Sequence, residues 1–343
     1  MSMSMECIYW RSSLAGSEAF DFQIARVIDI IRDTDAKTVG LQFPEGFKRR
    51  AAGIACEVEK ATGAQILISG DPCFGACDID IGLARRTDLL FHFGHAPLDD
   101  SGYVKNVYFI EVRSNAAVAE VVNKSLEMLK GQKIGLVTTV QHVHKLQEAS
   151  EILQARGKVC VIKRGDAKIA YPGQVLGCNF SSARNELCDE YLYIGSGYFH
   201  PMGVALSTGK RVLIADPFVN EVRELDISKM LKQRSAVIGR SLDAVLFGII
   251  VCSKPGQERM ALALQLQDMI RKHAKDARII IMDLVTPDQL LQFKVDAFVN
   301  TACPRLAIDE VGRFNAPMLT PHELEIVLGE RKWEDLVFDE ITA

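Results

Sequence analysis

At 343 residues, 48% of them hydrophobic and 24% charged, the chain can bury more than one core, because single cores seldom grow past roughly 250–300 residues. A net charge of −4 with both signs interspersed argues against non-specific nucleic-acid binding, which needs a concentrated basic surface. The opening MSMSMECIYWRSS lacks the features of a secretory signal, and the longest apolar run, Ala244–Cys252, falls short of the roughly 20 residues that span a bilayer, so a cytoplasmic protein with no membrane segment is expected.

Short β-rich apolar runs alternate with helical segments, the pattern of a parallel α/β protein whose strands are covered on both faces. The first third predicts strands at Thr38–Phe43, Gln65–Ser69, Leu89–Phe93 and Val107–Val112. A helix is expected over Phe47–Thr62, stopped by Gly63, with Cys56 on its apolar face. The second third predicts strands at Lys133–Thr138, Lys158–Lys163, Glu190–Ile194 and Arg211–Ala215. The last predicts Ala244–Val251, Arg278–Met282, Ala297–Thr301 and Pro317–Leu319. Four strands thus recur three times, in sets of a usual domain size. The turns recur too: QFPEG, TTVQHVH and VCSKPGQ follow the first strands, and FHFGHAP, IGSGYFHPMG and NTACPRLA follow the third strands. The expected organisation is three similar α/β domains, 1–115, 116–219 and 220–343, each a small parallel sheet flanked by helices. Linkers are expected near Arg113–Ala116 and Phe218–Glu224.

Nine cysteines spread over so long a chain do not make a secreted disulfide framework; in a reducing compartment they are buried thiols or metal ligands. Cys7, Cys56, Cys160, Cys188 and Cys252 read as packing residues, with Cys188 on a helix. Cys77, Cys178 and Cys303 differ. There is one per third, each in a loop of glycine, proline or polar residues at a sheet end, where open α/β folds place their ligands. Three converging thiolates could hold a metal cluster with one position open. Cys73 and Cys77 have the spacing that opens the C-x3-C-x2-C signature of ordinary radical S-adenosylmethionine enzymes, but the third position is Asp80. Zinc is poorly supported, because close Cys/His ligand pairs do not occur twice.

GDPCFGACDID, GQVLGCNF and NTACPRLAIDE, together with QFPEG and GSGYFHPMG, resemble the diphthamide synthase subunit 2 family, over about Thr38 to Arg313. The resemblance implies three similar domains around a pseudo-threefold axis and a [4Fe–4S] cluster ligated by Cys77 of GACD, Cys178 of LGCN and Cys303 of ACPR. Cys73 would stand beside the cluster as a bystander. It further implies a non-classical radical transferase: the reduced cluster cleaves S-adenosylmethionine, and the 3-amino-3-carboxypropyl group passes to a histidine of translation elongation factor 2, the first step of diphthamide biosynthesis. An electron donor and a homodimer are implied as well, and no catalytic residue beyond the cluster ligands is assigned.

Candidates for holding S-adenosylmethionine come from the same loops. Gln42, Glu45 and Gly46 form the first strand–helix turn, where a helix N-terminus can meet a carboxylate. His142, beside Gln141, occupies the corresponding turn of the second third; Gly195, Gly197 and His200 follow a later strand there. Gln257, with Lys254 and Gly256, forms the turn of the last third, and Arg305 offers a fork for a carboxylate. Each has a plainer reading: Glu45 and Asp78 as helix caps, His142 and His144 on a solvated helix end, His92 and His95 paired with backbone. Two alternatives stand for the whole chain. One is a quinolinate synthase-like dehydratase using its open iron as a Lewis acid, whose motifs the loops ACPRLAID and GYFHPMG of this chain fit less well. The other is a non-catalytic cluster-binding protein.

Overall fold

Three main sheets with one shared strand order, accompanied by a small two-stranded sheet, make up the molecule, described here by a computed structural model over residues 19–98, 105–185, 187–308 and 312–342. Cys7 lies outside the described residues. The first third carries β1 (Phe20–Asp21), β2 (Thr38–Gln42), β3 (Gln65–Ile68), β4 (Leu89–Phe93), β5 (Val107–Ile110) and β6 (Arg113–Ser114). The second carries β7 (Lys133–Thr138), β8 (Val159–Val161), β9 (Glu190–Ile194), β10 (Val212–Asp216) and β11 (Glu221–Glu224). The third carries β12 (Leu246–Cys252), β13 (Asp276–Met282), β14 (Ala297–Asn300) and β15 (Met318–Leu319).

The sheets run β3-β2-β4-β5, β8-β7-β9-β10-β11 and β13-β12-β14-β15. In each, the second strand lies outside the first and the third and fourth lie on its other side, all parallel. Every strand expected from the sequence is present, with ends within two residues. Two expectations fail. The segments expected as linkers each contain a strand: β6 pairs antiparallel with β1, and β11 turns back onto β10. Cys188, expected on a helix, is buried in the turn that leads into β9. Short polar strands at domain edges carry no continuous apolar run, which is why the pattern hid them.

The three sheets share two local devices. One residue before each third strand stands an aspartate: Asp88, Asp189 and Asp296. A single carboxylate oxygen of each accepts two successive backbone N–H groups at the entry to the first strand. Asp88 takes Lys37 and Thr38 at 2.9 and 2.8 Å, Asp189 takes Gln132 and Lys133 at 2.8 Å each, and Asp296 takes Val245 and Leu246 at 2.9 and 2.8 Å. These bonds favour the ionised form and hold all three carboxyls below their ordinary range. The second device is a glycine at the third position of each first strand, directly opposite a bulky residue: Gly40 faces Leu90, Gly135 faces Tyr191 and Gly248 faces Phe298. A Cβ at these glycines would stand 2.8, 2.3 and 2.8 Å from those side chains. The large residue of the third strand therefore fills the space that the glycine leaves.

Helices cover the sheets as the periodicity requires. The Lys48–Thr62 helix buries Ala51, Ile54 and Val58 and ends at Gly63, whose φ of 72° suits glycine; Cys56 is half-buried. In the third unit, Arg234 of the Ser228–Ser241 helix is 1% exposed. Its Nε donates to Glu323 Oε1 at 2.7 Å, its Nη2 donates to Met318 O at 2.7 Å, and a further bond goes to Ala307 O. Glu323 is also 1% exposed and closes the capping box of the Pro321–Val327 helix with Thr320. Glu323→Ala would strand the buried guanidinium, at a cost of about 3–5 kcal/mol. Chemical denaturation should show a correspondingly earlier transition, and the apolar pair Arg234→Met with Glu323→Leu should recover most of the loss.

Candidate metal centre

The loop after β3 presents Cys77. Its base is fixed from β2: the Gln42 amide donates to Asp78 O at 2.8 Å and accepts from the Asp80 N–H at 3.1 Å, while Asp78 accepts from the Phe74 N–H at 3.1 Å. The other side of the loop belongs to the third unit. Gln257 Nε2 donates to Cys77 Sγ at 3.1 Å, and Lys254 pairs with Asp78 at 2.7 Å, both side chains largely buried. Gly256 lies against the cysteine so closely that a Cβ there would stand 2.6 Å from Cys77 Cβ. Any side chain at 256 would push the thiol out of place.

Cys178 and Cys303 come to the same place from the other two units. The Cys178 thiol is pushed well above its ordinary range, first by burial, then by the neighbouring Cys77 and Cys303, with Lys168 and Arg259 opposing. Burial also raises Cys77, and the hydrogen bond from Gln257 opposes it. With Cys178 inside the field of both other thiols, the three do not readily all ionise unless a cation joins them. That is the donor set of a soft metal or an iron–sulfur group, so these side chains suit the cluster expected from the sequence.

The three loops are not equivalent copies. Cys77 and Cys178 follow the second strands of their sheets, β3 and β8, whereas Cys303 follows the third strand, β14. At the corresponding places of the other units, after β4 and β9, stand His95 in its loop and His200 at the head of the helix Phe199–Thr208. His200 is held neutral, with its pKa lowered to about 4, first by burial and then by the nearby charges of Arg305 and His95. The loops after all three third strands thus meet beside the cysteines. The Arg305 guanidinium lies 4.4 Å from the centroid of the Phe199 ring, a cation–π contact across units.

Cys73 stands apart. Its thiol is buried, 3.8 Å from His92 Nε2, and its pKa is raised to about 12 by burial, then by Asp78 and Cys77. With the Gln42 amide oriented by its two backbone bonds, Oε1 can only accept from His92 Nδ1, at 2.9 Å. That fixes the tautomer and leaves His92 Nε2 to accept from His95 Nδ1, also at 2.9 Å. His92 and His95 are therefore paired with side chains, not with backbone as the plainer reading had it. Burial, then His95, lowers His92 well below its ordinary pKa, and burial alone lowers His95 to about 4.

Of the remaining expected residues, Gln42 is buried with its amide committed to the bonds above. Glu45 is exposed and pairs with Lys48 at 2.6 Å, at the head of the turn Glu45–Phe47. Gly46 and Gly197 face open space, and Gly197 has a φ of 82°. Gln141 donates to Gly94 O at 2.6 Å. His142 is not on a solvated helix end: it is 3% exposed, its ring 5.6 Å from that of Phe218, and burial lowers its pKa to about 4. Arg259 was not singled out from sequence. It donates to Thr301 O at 2.6 Å and Ala302 O at 3.1 Å, the two carbonyls before Cys303. No local motif marks it, because its partners are distant carbonyls.

Residues 43–337 match the family described as "Putative diphthamide synthesis protein". The chain is 37% identical over 321 residues to the 2-(3-amino-3-carboxypropyl)histidine synthase of Pyrococcus horikoshii, covering 92% of each. It is 31% identical to subunit 1 of the Gallus gallus enzyme of that name, covering 92% of this chain and 78% of the relative. The crystal structure of Dph2 from Pyrococcus horikoshii with a 4Fe–4S cluster superimposes with a TM-score of 0.88 at 36% identity, covering 94% of both chains.

Three of the buried histidines give a pH dependence whose sign is fixed. His95, His142 and His200 are held neutral down to about pH 4, while in the unfolded chain they protonate near their ordinary 6.5. Between those values the unfolded state binds more protons, so stability is fully present above about pH 6.5 and is lost as pH falls towards 4. Denaturation midpoints of the metal-free protein should fall steadily from pH 7 to pH 5, and His142→Gln should flatten that decline.

Proposed function

The chain belongs to the diphthamide synthesis family, and from that membership and the convergence of three cysteine loops we propose that it builds 2-(3-amino-3-carboxypropyl)histidine on a protein substrate with a [4Fe–4S] cluster and S-adenosylmethionine. It is a transferase of the first step of diphthamide formation, which decides against the quinolinate synthase-like and non-catalytic alternatives. The protein substrate we assign is translation elongation factor 2, and the working form a homodimer served by an external electron donor. Among the described residues no helix is long and apolar enough to cross a membrane, in keeping with a cytoplasmic site of action.

The ligand set we assign is Cys77, Cys178 and Cys303, with one α/β unit, 1–115, 116–219 and 220–343, behind each. The observation that carries it is that the loops meet: Gly256 of the third unit lies against Cys77, and Gly177, next to Cys178, lies against Arg305, two residues after Cys303. When bound, the cluster supplies one electron to the bond between sulfur and the aminocarboxypropyl arm of S-adenosylmethionine. The protein's own groups hold the reactants. Gln257 donates to Cys77 while Gly256 keeps the space beside it open to backbone only. Arg305, stacked on Phe199, is our choice to take the carboxylate of that arm, with His200 beside it as a neutral partner. Glu45, Gly46 and Gly197 remain candidates for the rest of the molecule because they face open space or solvent. Gln42 and His142 act at one remove, Gln42 by fixing the Cys77 loop and the His92 tautomer.

Purified without oxygen and reduced, the protein should convert S-adenosylmethionine to methylthioadenosine. Formation of 5′-deoxyadenosine, or no cleavage despite an intact reduced cluster, would count against the assignment. Cys77→Ala, Cys178→Ala and Cys303→Ala should each lose iron on purification, and Cys73→Ala should keep it. Iron retained in Cys77→Ala but lost in Cys73→Ala would exchange the roles of those two cysteines.

A further inference from the structure

The last described residues do not lie on the sheet to which the last third belongs. Residues 338–342 leave the third unit and run across the second, where Phe338 packs edge-on to Phe180 with ring centroids 5.3 Å apart. Glu340 accepts from the Phe180 N–H at 2.9 Å and pairs with Arg184, and Lys168 Nζ donates to Thr342 O at 3.0 Å. Phe338, Asp339 and Ile341 are buried. The family match stops at residue 337, so this segment lies beyond the matched region.

We propose that residues 338–342 are a strap that positions Cys178 and Cys303 for cluster binding, a role that rests on the ligand assignment above. The strap reaches Cys178 directly: the Ile341 N–H donates to Cys178 O at 2.7 Å. It reaches Cys303 through one side chain. Asp339 receives the Arg259 guanidinium in a two-pronged pair, at 2.8 and 2.7 Å, and the same guanidinium donates to Thr301 O and Ala302 O. Asn300 then closes the loop, its Nδ2 donating to Cys303 O at 2.8 Å and its Oδ1 accepting from Ala302 N–H at 3.1 Å.

A tail that merely covered apolar surface would need only Phe338 and Ile341. Burying a carboxylate is costly unless a partner holds it with good geometry, and here the partner is the arginine that already grips the Cys303 loop. The contact thus couples two loops from different sheets at their ligand residues. Cys77 is held separately, by Gln257 and Gly256. In this arrangement Asp339 and Arg259 are positioning residues: they touch neither substrate nor reacting atoms, but set where two sulfurs stand.

The separation of the strap from Cys77 provides the test. Metal-free protein is alkylated under native conditions and each cysteine is followed by mass spectrometry of its peptide. In Asp339→Asn, and in a chain ending at Val337, Cys178 and Cys303 should react several-fold faster while Cys77 keeps its parent rate. With the cluster loaded, iron should pass to a chelator about tenfold faster or more, the scale of losing an outer-shell partner, and the spectrum of the reduced cluster should shift. Equal acceleration at all three cysteines would mean general loosening and would overturn the strap. Parent rates and an unchanged spectrum would overturn it too. If the shortened chain does not fold, Asp339→Asn decides alone. A full cluster in Cys178→Ala or Cys303→Ala would instead sink the ligand assignment, whatever the strap does.

Discussion

Three cysteines brought from three sheets to one place, Cys178 within the field of both Cys77 and Cys303, are the constraint to which the rest of this molecule answers. A single buried thiol is content as a small apolar group. Three of them brought from separate sheets are a different matter, because each loop gives up freedom to reach the same place and no disulfide forms among them. Such convergence makes sense when a cationic group offsets both the lost freedom and the mutual repulsion of the thiolates. The surroundings are arranged for that: Gln257 donates to one sulfur, and Lys168 and Arg259 oppose the rise in the pKa of another.

The scaffold that makes this possible is one unit used three times, and the repetition is finest at the strand entries. Asp88, Asp189 and Asp296 each bind two amides at the start of a first strand, and Gly40, Gly135 and Gly248 each make room for a bulky third strand. Both devices fix the relation between first and third strands, and so the height at which the loops leave the sheets. The three proposed ligands do not follow the repeat. Two come from loops after second strands and one from a loop after a third strand. A strict threefold site would need three identical loops; this one keeps the unit and varies the loops, leaving His95 and His200 opposite Cys303.

Much of this was legible in the sequence because it is written in local pattern. Parallel strands read as apolar runs, even the partly exposed edge strands β3, β8 and β13, so the twelve of them were found, and loops rich in glycine and proline marked the three cysteines. The glycine and aspartate positions were equally readable, as G at the third place of each first strand and D just before each third, but only once strand order was known. What could not be read depended on distance in the chain. β6 and β11 exist because of antiparallel partners and carry no apolar run of their own. His92 and His95 pair with each other and with Gln42, across fifty residues, so their tautomers follow from Asp78 and Asp80 backbone atoms that no motif includes. His142 sits in a polar stretch, TTVQHVH, yet the turn folds it inward against Phe218.

The third unit carries more of the site than its own cysteine. Its first turn supplies Gln257, Lys254 and Gly256 to the Cys77 loop, its Arg259 grips the Cys303 loop, and its tail donates to Cys178. Each of the three ligand loops is therefore held by a residue of the third unit. The converse does not hold, because the contacts that Cys77 and Cys178 receive from their own units fix the loops' bases, through Gln42 and Asn179, and not the approach of the sulfurs to one another. Relative placement of three sulfurs needs a common reference body, and the contacts assign that part to residues 252–342. A cluster held in this way is sensitive to movement between units, so its integrity reports on the packing of the whole chain and not on any one loop.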